Sequence, residues 1–319
     1  MIKYTENDIP NISNKTIAII GYGSQGKAQS ANLRDNGYNN VVIGVRPGKS
    51  FESASIDGYN TMPVPDAVKI SDIIVLLVPD ETAPEIFNRD IKPWIHDGQT
   101  LIFSNGFNIL YSQITPPPNI DVVLVAPKHN GYQTRNLYIN KIGLKSIIAI
   151  YQDISNSATL TAMAYAKAIG TPISEMIMST FSEEVETELF TEQVTCGGLL
   201  ELINESYNTL VSAGYNPKIA YILCINRLKE TLDLVYDGGM PKLHESTPIS
   251  AIYGGITRGK RIIPEPTRNS MCEILTEIQS GSFTKDWLLE KTVNYPQYRI
   301  LTEKYKNSDI EKMRIKLQQ

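Results

Sequence analysis

Several protein classes need features that this sequence has little of. The longest apolar runs, such as 73–78, fall far short of the roughly 20 residues that cross a bilayer. The opening Met1-Ile2-Lys3-Tyr4-Thr5-Glu6-Asn7-Asp8 lacks the apolar centre of a secretion signal. Cysteine is scarce: Cys196, Cys224 and Cys272 form an odd, widely spaced set without a Cys-x-x-Cys pair, which points to a reducing, cytoplasmic setting. Three histidines, His96, His129 and His244, are too few and too scattered for a His-rich zinc site. Positive charge is not in excess, since 30 Lys+Arg against 34 Asp+Glu leave a formal charge of −4. That balance counts against nucleic acid or an anionic membrane as the main partner. Neither a short-period repeat nor a low-complexity segment is present. What remains is a globular composition, 42% hydrophobic over 319 residues. At roughly 150 residues per domain that length suggests two domains, with enough chain to bury a substantial core.

The two halves differ in period. In the first, short apolar runs at 16–20, 41–45, 73–78, 101–103, 122–125 and 147–151 alternate with helical stretches. Runs without polar alternation suit strands covered on both faces, so the expected architecture is an α/β doubly wound parallel sheet of the Rossmann type. The boundary is expected near Thr180, giving domains 1–180 and 181–319. Beyond it strand signals fade, and 183–214, 217–236 and 270–280 read as helices of an all-helical domain. Pro217 suits a first helical position, where its missing N–H would have no intrahelical partner.

Gly21-Tyr22-Gly23-Ser24-Gln25-Gly26 follows the first strand and opens a helix. In a dinucleotide-binding loop Gly21 permits the tight turn, Gly23 lets the backbone approach a pyrophosphate, and Gly26 allows close helix–strand packing. The helix N-terminus then faces the phosphate charge. The second strand ends in Val45-Arg46-Pro47-Gly48-Lys49-Ser50. A carboxylate at that point would accept from the ribose 2′-OH of NADH; Arg46, Lys49 and Ser50 are instead suited to a 2′-phosphate, so NADPH is the expected cofactor. A solvated basic loop is the alternative, and comparable affinity for NADH and NADPH would favour it.

Further strings agree with one family. They are Ile19-Ile20-Gly21-Tyr22-Gly23-Ser24-Gln25-Gly26, Val78-Pro79-Asp80-Glu81-Thr82, Asn105-Gly106-Phe107-Asn108-Ile109, Val125-Ala126-Pro127-Lys128 and Glu188-Leu189-Phe190-Thr191-Glu192-Gln193. Cys196-Gly197-Gly198-Leu199, Ala213-Gly214-Tyr215-Asn216-Pro217, Ile219-Ala220-Tyr221, Ala251-Ile252-Tyr253-Gly254 and Asp286-Trp287 extend the match. Over nearly its full length the chain resembles the short-chain branch of the ketol-acid reductoisomerases. The resemblance implies a Mg²⁺-dependent alkyl migration joined to NADPH reduction of the resulting 2-keto acid. It also implies a knotted helical domain and a homodimer whose sites are shared between subunits.

The departures from the family pattern gather in its chemistry. Asn105 stands where the family carries a catalytic His, and Glu188 where it carries the first metal-ligating Asp; Glu192 matches the second ligand. Leu223 and Arg227 align with two partner-subunit Glu, Pro248 with a substrate-binding Ser, Ile252 with a Glu, and Lys27 with a His. Magnesium needs hard oxygen ligands, which Leu223 cannot supply, and Arg227 would repel the ion. The leading expectation is therefore an NADPH-dependent reductase of a small imine or keto acid that no longer requires Mg²⁺. In it Pro79, Asp80 and the Asn105 loop would flank the nicotinamide, with Lys128 polarising or protonating the substrate. Glu188 and Glu192 would act from one helical face, Arg227 of the neighbouring subunit would pair with them or with a substrate carboxylate, and Asn105 would donate a hydrogen bond. His129 and Tyr132 are further candidates to line the pocket. Three alternatives stay open: a genuine ketol-acid reductoisomerase with unusual ligands, a non-catalytic NADPH-binding protein, and a generic β-hydroxyacid dehydrogenase.

Overall fold

A computed structural model describes residues 4–318, so Met1, Ile2 and Lys3 of the opening segment lie outside the described residues. The first half forms an eight-stranded sheet, with strands β1 (Ile17–Ile20), β2 (Val41–Gly44), β3 (Asn60–Met62), β4 (Ile73–Leu76), β5 (Thr100–Phe103), β6 (Asp121–Pro127), β7 (Ser146–Gln152) and β8 (Met176–Met178). Their order across the sheet is β3-β2-β1-β4-β5-β6-β7-β8. Between the parallel strands β1 and β4 the strand order reverses, the switch point where such sheets open a crevice for ligands at the strand carboxyl ends.

The expectation of an all-parallel sheet needs correction. β7 runs antiparallel to β6, and β8 is parallel to β7, so the sheet is mixed. The reason lies in the connection: the helix Gly131–Ile139 carries the chain out, and the chain re-enters at the same end, with Lys128 N–H bonded to Lys145 O and Pro127 opposite Ser146. A crossover to the far end, which a parallel strand requires, never occurs. The two short outer strands, β3 and β8, carry few buried side chains and so lacked the apolar runs that marked the others.

Alternate strand residues build two apolar layers. Ile17, Ile19, Ile43, Val75, Ile102 and Val123 pack on one face with Leu33 and Tyr165. Ala18, Ile20, Val42, Ile74, Leu101 and Leu124 pack on the other with Phe87 and Ile91. Each large side chain so buried stabilises the fold by about 1.5–3 kcal/mol.

The chain divides into two units, Met1–Val185 and Glu186–Gln319. The second is helical throughout, with Gly197–Ser212, Pro217–Ser246, Ile249–Ile262, Glu265–Gln279, Ser282–Thr292, Pro296–Lys306 and Asp309–Gln318 as its helices. Pro217 does open its helix, capped by the Asn216 side chain accepting from Lys218 N–H. The predicted helix 183–214 is broken: Phe181–Phe190 is α, Thr191–Cys196 is a π turn, and Gly197–Ser212 resumes as α. The helix predicted at 217–236 continues to Ser246 across a kink at Gly238 and Gly239, where Gly239 takes φ 68°. Among the described residues no helix is long and apolar enough to cross a membrane.

Candidate active site

A cavity of about 550 Å³ opens at the carboxyl ends of β1, β2 and β4. Gly21, Tyr22, Gly23, Arg46, Lys49, Ser50 and Pro79 line it, with Val45, Val64 and Ile86 as apolar wall. Gly21 has φ +103°, and a Cβ there would stand 2.6 Å from Leu77 O. A Cβ on Gly26 would stand 2.2 Å from Gly21 O, so the loop folds back on its own helix only without side chains at both places. Ser24, Gln25, Gly26 and Asp80 do not line this cavity. Gln25 turns inward and donates from Nε2 to His129 O at 2.7 Å. Asp80 accepts from Asn108 Nδ2 through both its backbone oxygen (3.2 Å) and Oδ1 (3.0 Å), which pins the Pro79–Asp80 turn to the Asn105 loop.

A second cluster lies where β5 and β6 end. Lys128 Nζ, 28% exposed, meets Glu184 Oε1 at 2.7 Å, and Glu184 is fully buried. The other carboxylate oxygen of Glu184 accepts from Gly106 N–H at 3.1 Å. One side chain thus ties the candidate acid to the Asn105-Gly106 turn, and a charge so buried is sustained only by such paired bonds. Sequence reasoning missed Glu184 although a signal was present: 184, 188 and 192 follow one another at four-residue steps on one helical face. Asn105 Oδ1 accepts from Phe107 N–H at 2.8 Å and so shapes its own turn. His129 is part-buried; burial first, and the positive charge of Lys145 second, hold its imidazole below the ordinary value. Tyr132 is exposed.

The remaining candidates belong to the helical unit. Glu188 is half-buried on the α segment, while Glu192 is exposed and leaves from the π turn. Turns of that kind recur at functional sites. Leu223 is 57% exposed, and Arg227 NH1 pairs with Glu230 of its own helix at 3.1 Å. Among the described residues no three His, Cys, Asp or Glu side chains gather to hold a metal ion.

Residues 11–195 match the acetohydroxy acid isomeroreductase NADPH-binding domain, and residues 181–319 match the ketol-acid reductoisomerase C-terminal domain. The chain belongs to the ketol-acid reductoisomerase family. It is an NADPH-dependent oxidoreductase of that family, which excludes the generic dehydrogenase reading. A ketol-acid reductoisomerase (NADP(+)) of Petrotoga mobilis is 45% identical over 312 residues, spanning 97% of this chain and 94% of that protein. The structure of an NADH-preferring ketol-acid reductoisomerase from an uncultured archaeon superposes with a TM-score of 0.92 at 35% identity, covering 98% of this chain and 97% of that one. An NAD-binding semialdehyde dehydrogenase protein of Cupriavidus necator, 17% identical with a TM-score of 0.63 over 83% of this chain and 99% of its own, shares the fold.

Proposed function

We propose that this family member is a ketol-acid reductoisomerase, taking a 2-hydroxy-2-alkyl-3-keto acid through alkyl migration and NADPH reduction. The observation that carries this reading is the similarity at 45% identity along 97% of the chain to a protein of that activity. It outweighs the expectation, drawn from a handful of altered positions, that the isomerase step has been lost.

The residues of the chain take the following parts. Arg46, Lys49 and Ser50 hold the 2′-phosphate, and the Gly21–Gly26 loop receives the pyrophosphate at the helix N-terminus. Pro79 and the Asn105 turn flank the nicotinamide. Lys128, fixed by Glu184, donates to the substrate oxygen that gains negative charge as hydride arrives. Glu188 and Glu192 are hard carboxylate donors of the type Mg²⁺ takes, and they would hold it. The ion would polarise the ketol carbonyl and stabilise its alkoxide. Leu223 and Arg227 would add no ligand to it. The helical unit supports a homodimer: among the described residues only Tyr207, Ala220, Ile278 and Thr284 of that unit are buried, while Ile249, Tyr253 and Ile256 stand open.

A second reading, reduction without isomerisation, is favoured by Leu223 and Arg227 themselves, an apolar and a cationic side chain at positions matching the family's metal-binding glutamates. Turnover of 2-acetolactate with NADPH, with and without Mg²⁺, decides between them. Metal-dependent loss of NADPH absorbance is the expected result. Oxidation of NADPH by a 2-keto acid or a cyclic imine, with acetolactate inert at any Mg²⁺ level, would establish the second reading instead.

A further inference from the structure

Gln29 is fully buried in the first helix (Ser24–Asp35), yet every hydrogen-bonding group of its side chain is used. Its Oε1 accepts from Tyr165 OH at 2.8 Å, and Tyr165 is itself wholly buried. Its Nε2 donates to Gln25 Oε1 and to Ser104 Oγ, both at 3.2 Å. Gln25 passes the chain on through Nε2 to His129 O, and Ser104 Oγ donates to Val125 O at 3.2 Å. Three segments distant in sequence are thereby joined: the glycine loop at Gln25, the turn carrying Asn105, and the turn carrying Lys128.

The fold alone does not call for this arrangement. One turn further along the same helix, Leu33 fills an equally buried position with hydrocarbon. A buried amide is favourable only when all its bonds are made, so the residue demands one relative placement of the segments it joins. Packing adds to the demand, because a Cβ on Gly131 would lie 2.3 Å from the backbone and Oγ of Ser24. The turn after β6 therefore rests directly on the N-terminus of the helix that faces the cofactor.

We propose that Gln29 is a positioning residue that links occupancy of the cofactor loop to the placement of the turns bearing Asn105 and Lys128. This rests on the reading that NADPH binds at Gly21–Gly26. Phosphate at the helix N-terminus orders Ser24 and Gln25, and the amide chain through Gln29 carries that order to Ser104 and His129. Neither Gln29 nor Tyr165 needs to touch the cofactor for this.

The test uses 2′-phospho-ADP-ribose, which fills the adenosine and pyrophosphate sites but has no nicotinamide to touch the distant turns. Hydrogen exchange in the full-length protein is expected to slow at 21–26 and also at 104–107 and 129–134. Gln29→Met should keep the protection at 21–26 and lose it at both distant turns. In turnover it should lower kcat, counted per cofactor-binding site by NADPH titration, about 10–100-fold with KM for NADPH little changed, a loss that a smaller folded fraction does not produce. If Gln29→Met fails to fold, Tyr165→Phe removes a single hydroxyl and should weaken the distant protection at least about twofold. Distant protection undiminished in the variants, or protection of the parent confined to 21–26, would overturn the proposal while leaving cofactor binding intact. A parent protein with no protection at 21–26 would overturn both.

Discussion

Lys128 and Glu184 lie 56 residues apart in sequence and 2.7 Å apart in space. Lys128→Met should reduce turnover about 10²–10⁴-fold, the range for a lost general acid, while fluorescence titration shows NADPH affinity unchanged. Glu184→Gln should fall short of that loss, because an amide oxygen can still accept from Gly106 N–H while the charge beside Lys128 is gone. Equal losses in the two variants would mean that the pair acts as a unit. His129 gives a prediction of a different kind. Its imidazole is held below 6.5 by burial and by Lys145, so the unfolded chain takes up a proton more readily than the folded one. The stability this contributes is complete above 6.5 and drains away as the pH falls through the lowered folded value. His129→Gln should accordingly lose less stability than the parent between about pH 7 and pH 5, as measured by urea unfolding.

At the scale of elements, the glycine loop and the apolar strands were legible because their signals are local. Gly21 is conformationally obliged, and Gly21→Ala should cost about 1–3 kcal/mol of stability, read as a lowered unfolding midpoint, with loss of NADPH binding. Retained binding would mean that Leu77 can give way, and that the turn is less rigid than its φ of +103° requires. The direction of β7 was not legible. Apolar runs specify burial on both faces but say nothing about which way a strand enters, and here the short excursion through Gly131–Ile139 decided it. The π turn at Thr191–Cys196 was equally hidden, because helical periodicity over two turns does not distinguish an inserted residue. Of the candidate site, the glycine loop and the basic loop were nominated from spacing, and Gly21, Tyr22, Gly23, Arg46, Lys49 and Ser50 line one cavity. Glu184 was passed over because its partners, Lys128 and Gly106, come from other elements.

At the scale of the whole molecule, the helix Ile249–Ile262 carries Ile249, Ile252, Tyr253 and Ile256 at helical spacing, none of them buried, and Ile249 is 88% exposed. An apolar stripe this open on an ordered helix calls for a covering surface. Light scattering should give twice the chain mass, and Tyr253→Glu with Ile256→Glu should shift the protein to monomer. The melting temperature of the parent, but not of that variant, should rise with protein concentration. A parent that scatters as a monomer at all concentrations would remove the homodimer from the proposal.

The sequence by itself determined the α/β first half, the helical second half, the tight glycine turn and the family, because each is written in neighbouring residues. The tertiary structure alone decided that the sheet is mixed, that Glu184 is the buried partner of Lys128, and that Gln29 joins three turns. Those outcomes depend on which strand ends meet, and hydrogen bonds between segments dozens of residues apart leave no periodic trace in the chain.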